Sequence, residues 1–224
     1  MGLGTGGVEL GKQFGGGAVA ATDWYSRMSA FLFAKAPALT AAIPVKMGIS
    51  PNSPMSGQWV DAAIEGGAIK SGGAWALAST AVTFLTPKTG PWAVGYRSRM
   101  SALGAGHGYL GIVNGAQLNH VTIRTDSTID ATHYNLIIQA NAALTTVTST
   151  TLADHLFHDF VLIGDGTKID AYIDPVALGA AATPFASINN FVNLIDEGMM
   201  PGWHFDSGAS STDVTDCMFA YLKP

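Results

Sequence analysis

The sequence predicts an all-β sandwich that follows an N-terminal arm. From about residue 56 onward, short apolar runs are separated by Gly, Asp, Asn and Pro, and several of these runs alternate between apolar and polar residues. Alternation with a period of two is typical of a strand with one buried face. A single sandwich domain often reaches the length of this chain, 224 residues, and 48% hydrophobic residues are ample for its core.

The first 55 residues have a different texture. Residues 1 to about 20 are rich in glycine and bury too little side chain to order themselves alone. Thr22-Asp23 and Pro37 then flank an apolar cluster whose spacing favours a short capped helix, with a strand as the alternative. The members of this cluster are Trp24, Met28, Phe31 and Leu32. The turn-forming residues around 50–54 predict a boundary, so that residues 1–55 form the arm and residues 56–224 form the sandwich.

Three segments of the predicted sandwich show the strand period most clearly. The side chains that should face the core are Trp92, Val94, Tyr96 and Met100, then Val121 and Ile123, then Tyr134, Leu136 and Ile138. The second of these segments places His120, Thr122 and Arg124 on the opposite face. Residues 160–163 are apolar on both parities, which predicts a central strand that is covered on both faces.

The clearest local signal is a hairpin. Asp165-Gly166 is a tight-turn pair, because glycine supplies the positive φ that such a turn needs. The strand after the turn ends at Tyr172-Ile173-Asp174. Together with the histidine-containing stretch 155–159 before it, this unit resembles the late hairpin of laminin-G and concanavalin A-like lectin/glucanase domains. Pro175 stands where those families have a glycine.

The end of the chain strengthens the same resemblance. Residues 212–224 resemble the closing strand of such domains in phage tail and head proteins. The resemblance covers residues from about 56 to 224 and implies a jelly-roll sandwich. It bears on the fold more than on any activity, because one fold carries many functions.

Charge and composition limit the partners. The net charge of −5 and the scattered Lys and Arg argue against nucleic acid as a partner, because no basic stripe is present to neutralise a row of phosphates. The chain has no run of 18 apolar residues, so no membrane span is predicted. No secretion-signal pattern is evident, and we expect the protein to be made and used without export. Cys217, the single cysteine, should be a small buried hydrophobic residue.

No catalytic motif is evident. Jelly-roll glucanases carry paired carboxylates on one strand, and none of the glutamates has a partner at that spacing. These glutamates are Glu9, Glu65 and Glu197. Asp170 and Asp174 share a strand parity, but a solvated pair beside a turn explains them better. A Gly-x-Ser-x-Gly elbow is absent from the sequence as well. The sequence therefore predicts that the protein is not an enzyme.

No cofactor is predicted either. His155 and His158 lie three apart, which on a strand points them to opposite faces, and no Cys/His cluster accompanies them. Calcium bound by loop carboxylates is left open, although single loop aspartates more often form Asx-turns. The carboxylates concerned are Asp126, Asp130, Asp206 and Asp213. Trp203 and His204 fall in a predicted loop and are the candidates for contact with a sugar or a partner protein.

The low charge content supplies the main functional argument. Only 12% of the residues are charged, about half the usual share, so much of the surface should be covered by other copies or by a partner. With the glycine-rich arm and the resemblance, this favours a non-enzymatic phage virion protein made in the host cytoplasm. Capsid decoration, head-fibre and tail-fibre proteins are the kinds considered. The alternative is a lectin-like module that binds a host-surface glycan.

The apolar cluster of residues 24–32 is predicted to serve assembly. An apolar cluster outside the core needs cover, and in a symmetric assembly a neighbouring copy can provide it. We therefore expect a homo-oligomer, with a trimer favoured, that contacts other virion proteins. The alternative is that the arm supplies an edge strand, paired with the C-terminal strand around Phe219.

Overall fold

The computed structural model describes thirteen stretches of the chain. They are residues 24–35, 45–47, 58–61, 68–71, 76–77, 87–88, 90–100, 106–114, 118–141, 143–175, 183–189, 197–205 and 212–221. Within these stretches the chain forms one α-helix, α1 (Trp24–Lys35), and fourteen strands in two antiparallel sheets. Among the described residues, no helix is long and apolar enough to cross a membrane.

The larger sheet has eight strands. Seven of them run in the order β12-β11-β10-β5-β14-β3-β2, and β1 pairs separately with β14. Their bounds are β1 (Val45–Met47), β2 (Gln58–Asp61), β3 (Ala68–Ser71), β5 (Trp92–Met100), β10 (His158–Gly164), β11 (Lys168–Ile173), β12 (Ala186–Asn189) and β14 (Thr212–Tyr221). Because β5 lies between β10 and β14, strands distant in sequence meet in this sheet.

The smaller sheet has six strands in the order β4-β13-β6-β7-β8-β9. Their bounds are β4 (Ala76–Leu77), β6 (His107–Asn114), β7 (His120–Asp126), β8 (Asp130–Ala140), β9 (Ala143–Leu152) and β13 (Met199–Phe205). Two antiparallel sheets with one helix confirm the predicted all-β jelly-roll sandwich.

The main core lies between the two sheets. Every side chain that the strand periods assigned to the core is buried there, and Trp92 and Cys217 are each 1% exposed. Ring contacts join the sheets at two places: Tyr134 meets Phe160 at a centroid distance of 5.2 Å, and Tyr96 meets Trp203 at 6.3 Å. Because side chains alternate along a strand, the residues between these core positions of β5, β7 and β8 lie on the outer faces of the two sheets.

The predicted hairpin is confirmed. Gly166 has a φ of +94°, and the Asp165 amide donates to the Lys168 carbonyl at 3.1 Å. The Asp165 carboxylate accepts from the amides of Thr167 and Lys168. The turn joins β10 to β11, and β10 is buried on both faces between β5 and β11, as the apolar run 160–163 predicted.

The helix α1 packs on the outer face of the eight-stranded sheet, where it contacts β5, β10 and β11. Met28 lies against Gly95, where an added Cβ would come within 2.7 Å of its sulfur. Phe31 meets Tyr172 edge to face at 5.3 Å. The indole Nε1 of Trp24 donates to Asp159 at 2.9 Å. The helix is therefore packed on the sandwich of its own chain.

The prediction that the apolar cluster of residues 24–32 lies outside the core and is covered by a neighbouring copy is called the arm model below. The packing of α1 contradicts its starting point, because the cluster is covered by its own chain. The cluster assigned to assembly is buried within the chain, with exposures of 9% for Trp24, 0% for Met28, 4% for Phe31 and 0% for Leu32. The physical reason is that the outward side of β5 and β10 is itself apolar at Ala93 and Val161, which also need cover. A second copy is not required to bury these four side chains, and oligomerisation stays a prediction.

The boundary at residue 55 needs the same correction. Strand β1 pairs with β14, with Val45 opposite Phe219, as the edge-strand alternative predicted. Backbone pairing and the helix contacts thus bring segments before residue 56 into the sandwich. Residues 1–23 and the Pro- and Ser-rich segment 50–54 lie outside the described residues.

Candidate functional site

The two residues predicted to contact a ligand separate in the structure. Trp203 and His204 lie on strand β13 rather than on a loop, so they point to opposite faces. Trp203 is 2% exposed and belongs to the core, where its ring meets Tyr96. Its assignment to sugar contact is therefore wrong, because the strand period places it in phase with the buried Met199. His204 is partly exposed on the outer face of the six-stranded sheet.

Strand register gathers polar side chains around His204. His204 pairs with Tyr109 of β6, Tyr109 with Arg124 of β7, and Arg124 with Asn135 of β8. Side chains of directly paired residues lie on the same face of a sheet. On β7, Thr122 lies two positions before Arg124 and His120 lies four positions before it, so all three side chains share this face. We call the set formed by Tyr109, His120, Thr122, Arg124, Asn135 and His204 the polar recess.

Aromatic rings form the rim of the polar recess. Tyr109 and His204 are partly exposed, and their ring centroids lie 5.2 Å apart with an interplanar angle of 32°. The His120 ring stands edge-on to Tyr109 at 5.6 Å. On the other side, the Arg124 guanidinium lies over the Tyr109 ring, with Cζ 4.1 Å from the centroid. Tyr109 is therefore the centre of the cluster.

The floor of the polar recess is buried and polar. His120, Thr122, Arg124 and Asn135 are at most 3% exposed. This is unusual for an outward sheet face, because side chains such as Arg and Asn are rarely buried unless their polar atoms are paired. The strand period predicted the outward orientation of the β7 residues, but it did not predict their burial.

Arg124 is only partly satisfied by its neighbours. Its Nη2 donates to the Tyr109 hydroxyl at 3.0 Å and to the Asp126 carboxylate at 2.6 Å. Among the described residues, its Nε and Nη1 have no hydrogen-bond partner, and neither does Oδ1 of Asn135. A buried polar atom without a partner costs about 1–3 kcal/mol. A ligand or ordered water that filled these positions would remove that cost.

His120 is held in its neutral form. Burial, together with the nearby charge of Arg124, lowers its pKa from 6.5 to about 3, although a hydrogen bond with Gln139 opposes the shift. Its Nδ1 lies 3.3 Å from the Thr122 hydroxyl. At neutral pH the ring is therefore an uncharged group that can both donate and accept a hydrogen bond.

Three of the four carboxylates considered as calcium ligands form hydrogen bonds or ion pairs with other protein groups. Asp126 pairs with Arg124 and with Nε2 of His107 at 3.1 Å. Asp130 accepts from the amide and hydroxyl of Thr132, and these hydrogen bonds lower its pKa to about 2. Asp213 pairs with Arg99 at 2.9 Å. The described stretches contain no group of three or more His, Cys, Asp or Glu placed to hold a metal ion, and Asp206 lies outside them.

The carboxylates of the late hairpin are also engaged. Asp174 accepts from Nδ1 of His158 at 2.6 Å and from the Asp159 amide at 2.9 Å. Asp170 accepts from the Ser187 hydroxyl and pairs with Lys168. Asp170 lies within β11, whereas Asp174 follows the last residue of that strand.

Sequence reasoning found His204 and missed the residues around it. The missing information was register, since Tyr109, Arg124 and Asn135 come from three strands whose alignment depends on turns and on core packing. The usable signal was the parity of β7, which places two large polar side chains, His120 and Arg124, on one face.

Comparison with known proteins finds similarity at the level of the fold. No protein-family model matches the chain, and no curated protein matches it in sequence. Among solved structures, the carbohydrate binding module CBM66 from Bacillus subtilis is 14% identical, covers 76% of this chain and 90% of its own, and superposes with a TM-score of 0.46. A Bacteroides ovatus mixed linkage glucan GH16 protein gives 8% identity, coverage of 80% and 94%, and a TM-score of 0.47.

The Caenorhabditis elegans galectin LEC-6 is similar in the same way. It is 7% identical, with coverage of 63% of this chain and 89% of its own chain and a TM-score of 0.42. These proteins share the concanavalin A-like jelly-roll fold, and they comprise a carbohydrate binding module, a galectin and a GH16 protein. At such identities the likeness concerns the fold alone and assigns neither a ligand nor an activity to this chain.

Proposed function

We propose that this protein is a carbohydrate-binding protein and that the polar recess is its binding site. The observation that carries the proposal is the juxtaposition of a partly exposed aromatic rim, Tyr109 and His204, with a buried floor of unsatisfied polar atoms. A saccharide matches both features, because its C–H faces pack on aromatic rings and its hydroxyls donate and accept hydrogen bonds. Small-molecule sites combine these elements in the same way.

Two further features support a binding site for a polar ligand. His120 and Thr122 present hydrogen-bonding groups without charge on the floor. The recess is also held by sheet pairing across four strands, β13, β6, β7 and β8, so its side chains are positioned before any ligand arrives. Such preorganisation lowers the entropy that binding must overcome.

The proposed role is binding without cleavage. In the described part of the chain, no pair of carboxylates lies on the recess beside the aromatic rim, and Asp126 is engaged with Arg124 and His107. A virion location and a structural role in a phage particle stay predictions from composition and resemblance. If the ligand is a host-surface glycan, the predicted virion location and the proposed carbohydrate binding are compatible.

The proposal is tested by affinity electrophoresis of the full chain in gels that contain one polysaccharide each. We expect retardation in at least one gel. Tyr109→Ala and His204→Ala should weaken that binding at least about tenfold, since each removes a stacking face. The matched control is His155→Ala, which alters an exposed histidine outside the recess and should bind normally.

The same samples distinguish binding from catalysis. After prolonged incubation, the polysaccharide should show no new reducing ends and no unsaturated products. New chain ends that disappear in Tyr109→Ala would overturn the non-enzymatic part of the proposal. Equal retardation of the wild type and both recess variants would overturn the assignment of the site.

A further inference from the structure

We infer that the polar recess recognises a uronic acid unit, with the sugar carboxylate on Arg124 and a neighbouring hydroxyl on Oδ1 of Asn135. This inference rests on the proposed function and names the class of saccharide that the site takes. It starts from polar atoms that the protein buries and leaves without partners.

The donors come from the Arg124 guanidinium. A guanidinium has five N–H groups, and Nε and Nη1 carry three of them. In the described structure these two nitrogens are buried without a partner, while Nη2 alone contacts Tyr109 and Asp126. The side chain is 4% exposed, so bulk water does not surround the free nitrogens. A carboxylate oxygen is a stronger acceptor for a guanidinium than a neutral oxygen is, because both groups are charged.

The acceptor comes from the adjacent strand. Asn135 pairs directly with Arg124 across β7 and β8, which places the two side chains side by side on one face. The Asn135 amide nitrogen donates to the His133 carbonyl at 3.0 Å, and this contact fixes Oδ1 as the unused atom. Oδ1 needs a donor, whereas Arg124 needs an acceptor. A uronic acid offers both, because it carries a carboxylate and hydroxyls on one ring.

The charge around the recess favours this ligand over an unspecific polyanion. His120 is neutral, and Asp126 balances part of the Arg124 charge. The whole chain carries a net charge of −5. A long anionic polymer is therefore repelled by the protein as a whole, and it gains only where a single carboxylate reaches the free guanidinium nitrogens.

The test is isothermal titration of the full chain with oligogalacturonate, oligomannuronate and oligoglucuronate, each beside its carboxyl-reduced, neutral counterpart. A sulfated oligosaccharide of similar length is the third arm. We expect one of the uronates to bind at least about tenfold more tightly than its neutral counterpart, because only the carboxylate uses the free guanidinium nitrogens.

Variants assign the effect to the two residues. Arg124→Gln should remove the preference for the uronate, whereas the matched control Arg97→Gln, on the opposite sheet and 40% exposed, should keep it. A second variant, Asn135→Asp, places a carboxylate beside Arg124 in competition with the ligand and should also abolish the preference. It keeps the arginine, so it tests the inference even where Arg124→Gln does not fold.

The outcomes separate this inference from the proposed function. Equal affinity for uronate and neutral sugars, or retention of the preference in Asn135→Asp, would overturn the uronate inference and leave carbohydrate binding in place. Binding of the sulfated sugar alone would also overturn it. Binding of no saccharide at all would overturn both.

Discussion

The outer faces of the two sheets differ in how their buried groups are satisfied. On the eight-stranded sheet, the outward side chains Ala93 and Val161 are apolar and buried, and helix α1 of the same chain packs on this face at Gly95 and Tyr172. On the six-stranded sheet, the outward face has buried apolar side chains at Val113 and Ile137, and beside them the buried polar side chains of Arg124 and Asn135, some of whose atoms have no partner among the described residues. Among the described residues, the first face has no buried side-chain nitrogen or oxygen without a partner, whereas the second has such atoms on Arg124 and Asn135.

This contrast is the basis for proposing that the first face is structural and the second face binds a ligand. Apolar burial under α1 lowers the free energy of the fold and leaves nothing for a ligand to satisfy. Buried polar atoms without partners raise that free energy, and a ligand that supplied the missing partners would remove the cost. The covered face also explains why the residues expected to mediate assembly are not available at the surface.

The largest effect should come from the covered face. Leu32 is fully buried, and Leu32→Ala should lower the free energy of unfolding by about 2–5 kcal/mol through lost burial and the cavity that remains. Its matched control is Leu144→Ala on edge strand β9, where the side chain is 51% exposed and the change should be within about 0.5 kcal/mol. Urea denaturation of both variants measures the difference.

A stable Leu32→Ala protein would contradict this account of α1. If the variant unfolds at the wild-type urea concentration, the helix does not contribute to the fold and its cover must come from elsewhere. If its stability instead rises with protein concentration, the cluster serves an oligomer, as the arm model predicted.

Most of the fold could be predicted because strand period and turn chemistry are local signals. The alternation along β5 and the Asp165-Gly166 pair each depend on a few neighbouring residues. The role of Trp203 could not be predicted in the same way. Gly202 and Pro201 beside it suggested a loop, yet pairing with β6 forms a strand there, and pairing is a long-range property.

The candidate site was harder to predict for the same reason. Tyr109 and Asn135 are 26 positions apart in the sequence, and only the shared alignment with Arg124 brings them to one face. The position of α1 also could not be predicted from its own residues. Its apolar spacing indicated a helix that needs cover, but nothing in residues 24–35 says whether a neighbouring copy or its own sheet supplies that cover.

A smaller effect should come from a histidine outside the recess. His158 lies between Asp174, with Nδ1 to Oδ2 at 2.6 Å, and Asp154, with Nε2 to Oδ1 at 2.9 Å. The hydrogen bond to Asp174, reinforced by Asp154, raises its pKa from 6.5 to about 9. A raised pKa stabilises the fold fully below about pH 6.5, and that contribution is lost as the pH rises through about 9.

Stability should therefore fall between about pH 6.5 and 9, by on the order of 1 kcal/mol, because solvent screens the two half-exposed carboxylates. Thermal unfolding across this range measures the slope. His158→Gln should flatten it, whereas His120→Gln should not, since the pKa of His120 is lowered and its effect on stability lies on the acid side. An unchanged slope in His158→Gln would contradict the assignment.

The central claim is that the six-stranded sheet, and not the helix-covered sheet, carries the binding face. Amide NMR spectra recorded during titration with the saccharide that binds most tightly test it most directly. We expect the shifted amides to centre on β6, β7, β8 and β13 around Tyr109 and Arg124, with α1 and β11 unchanged. Shifts centred on α1, β10 and β11 instead would contradict the claim.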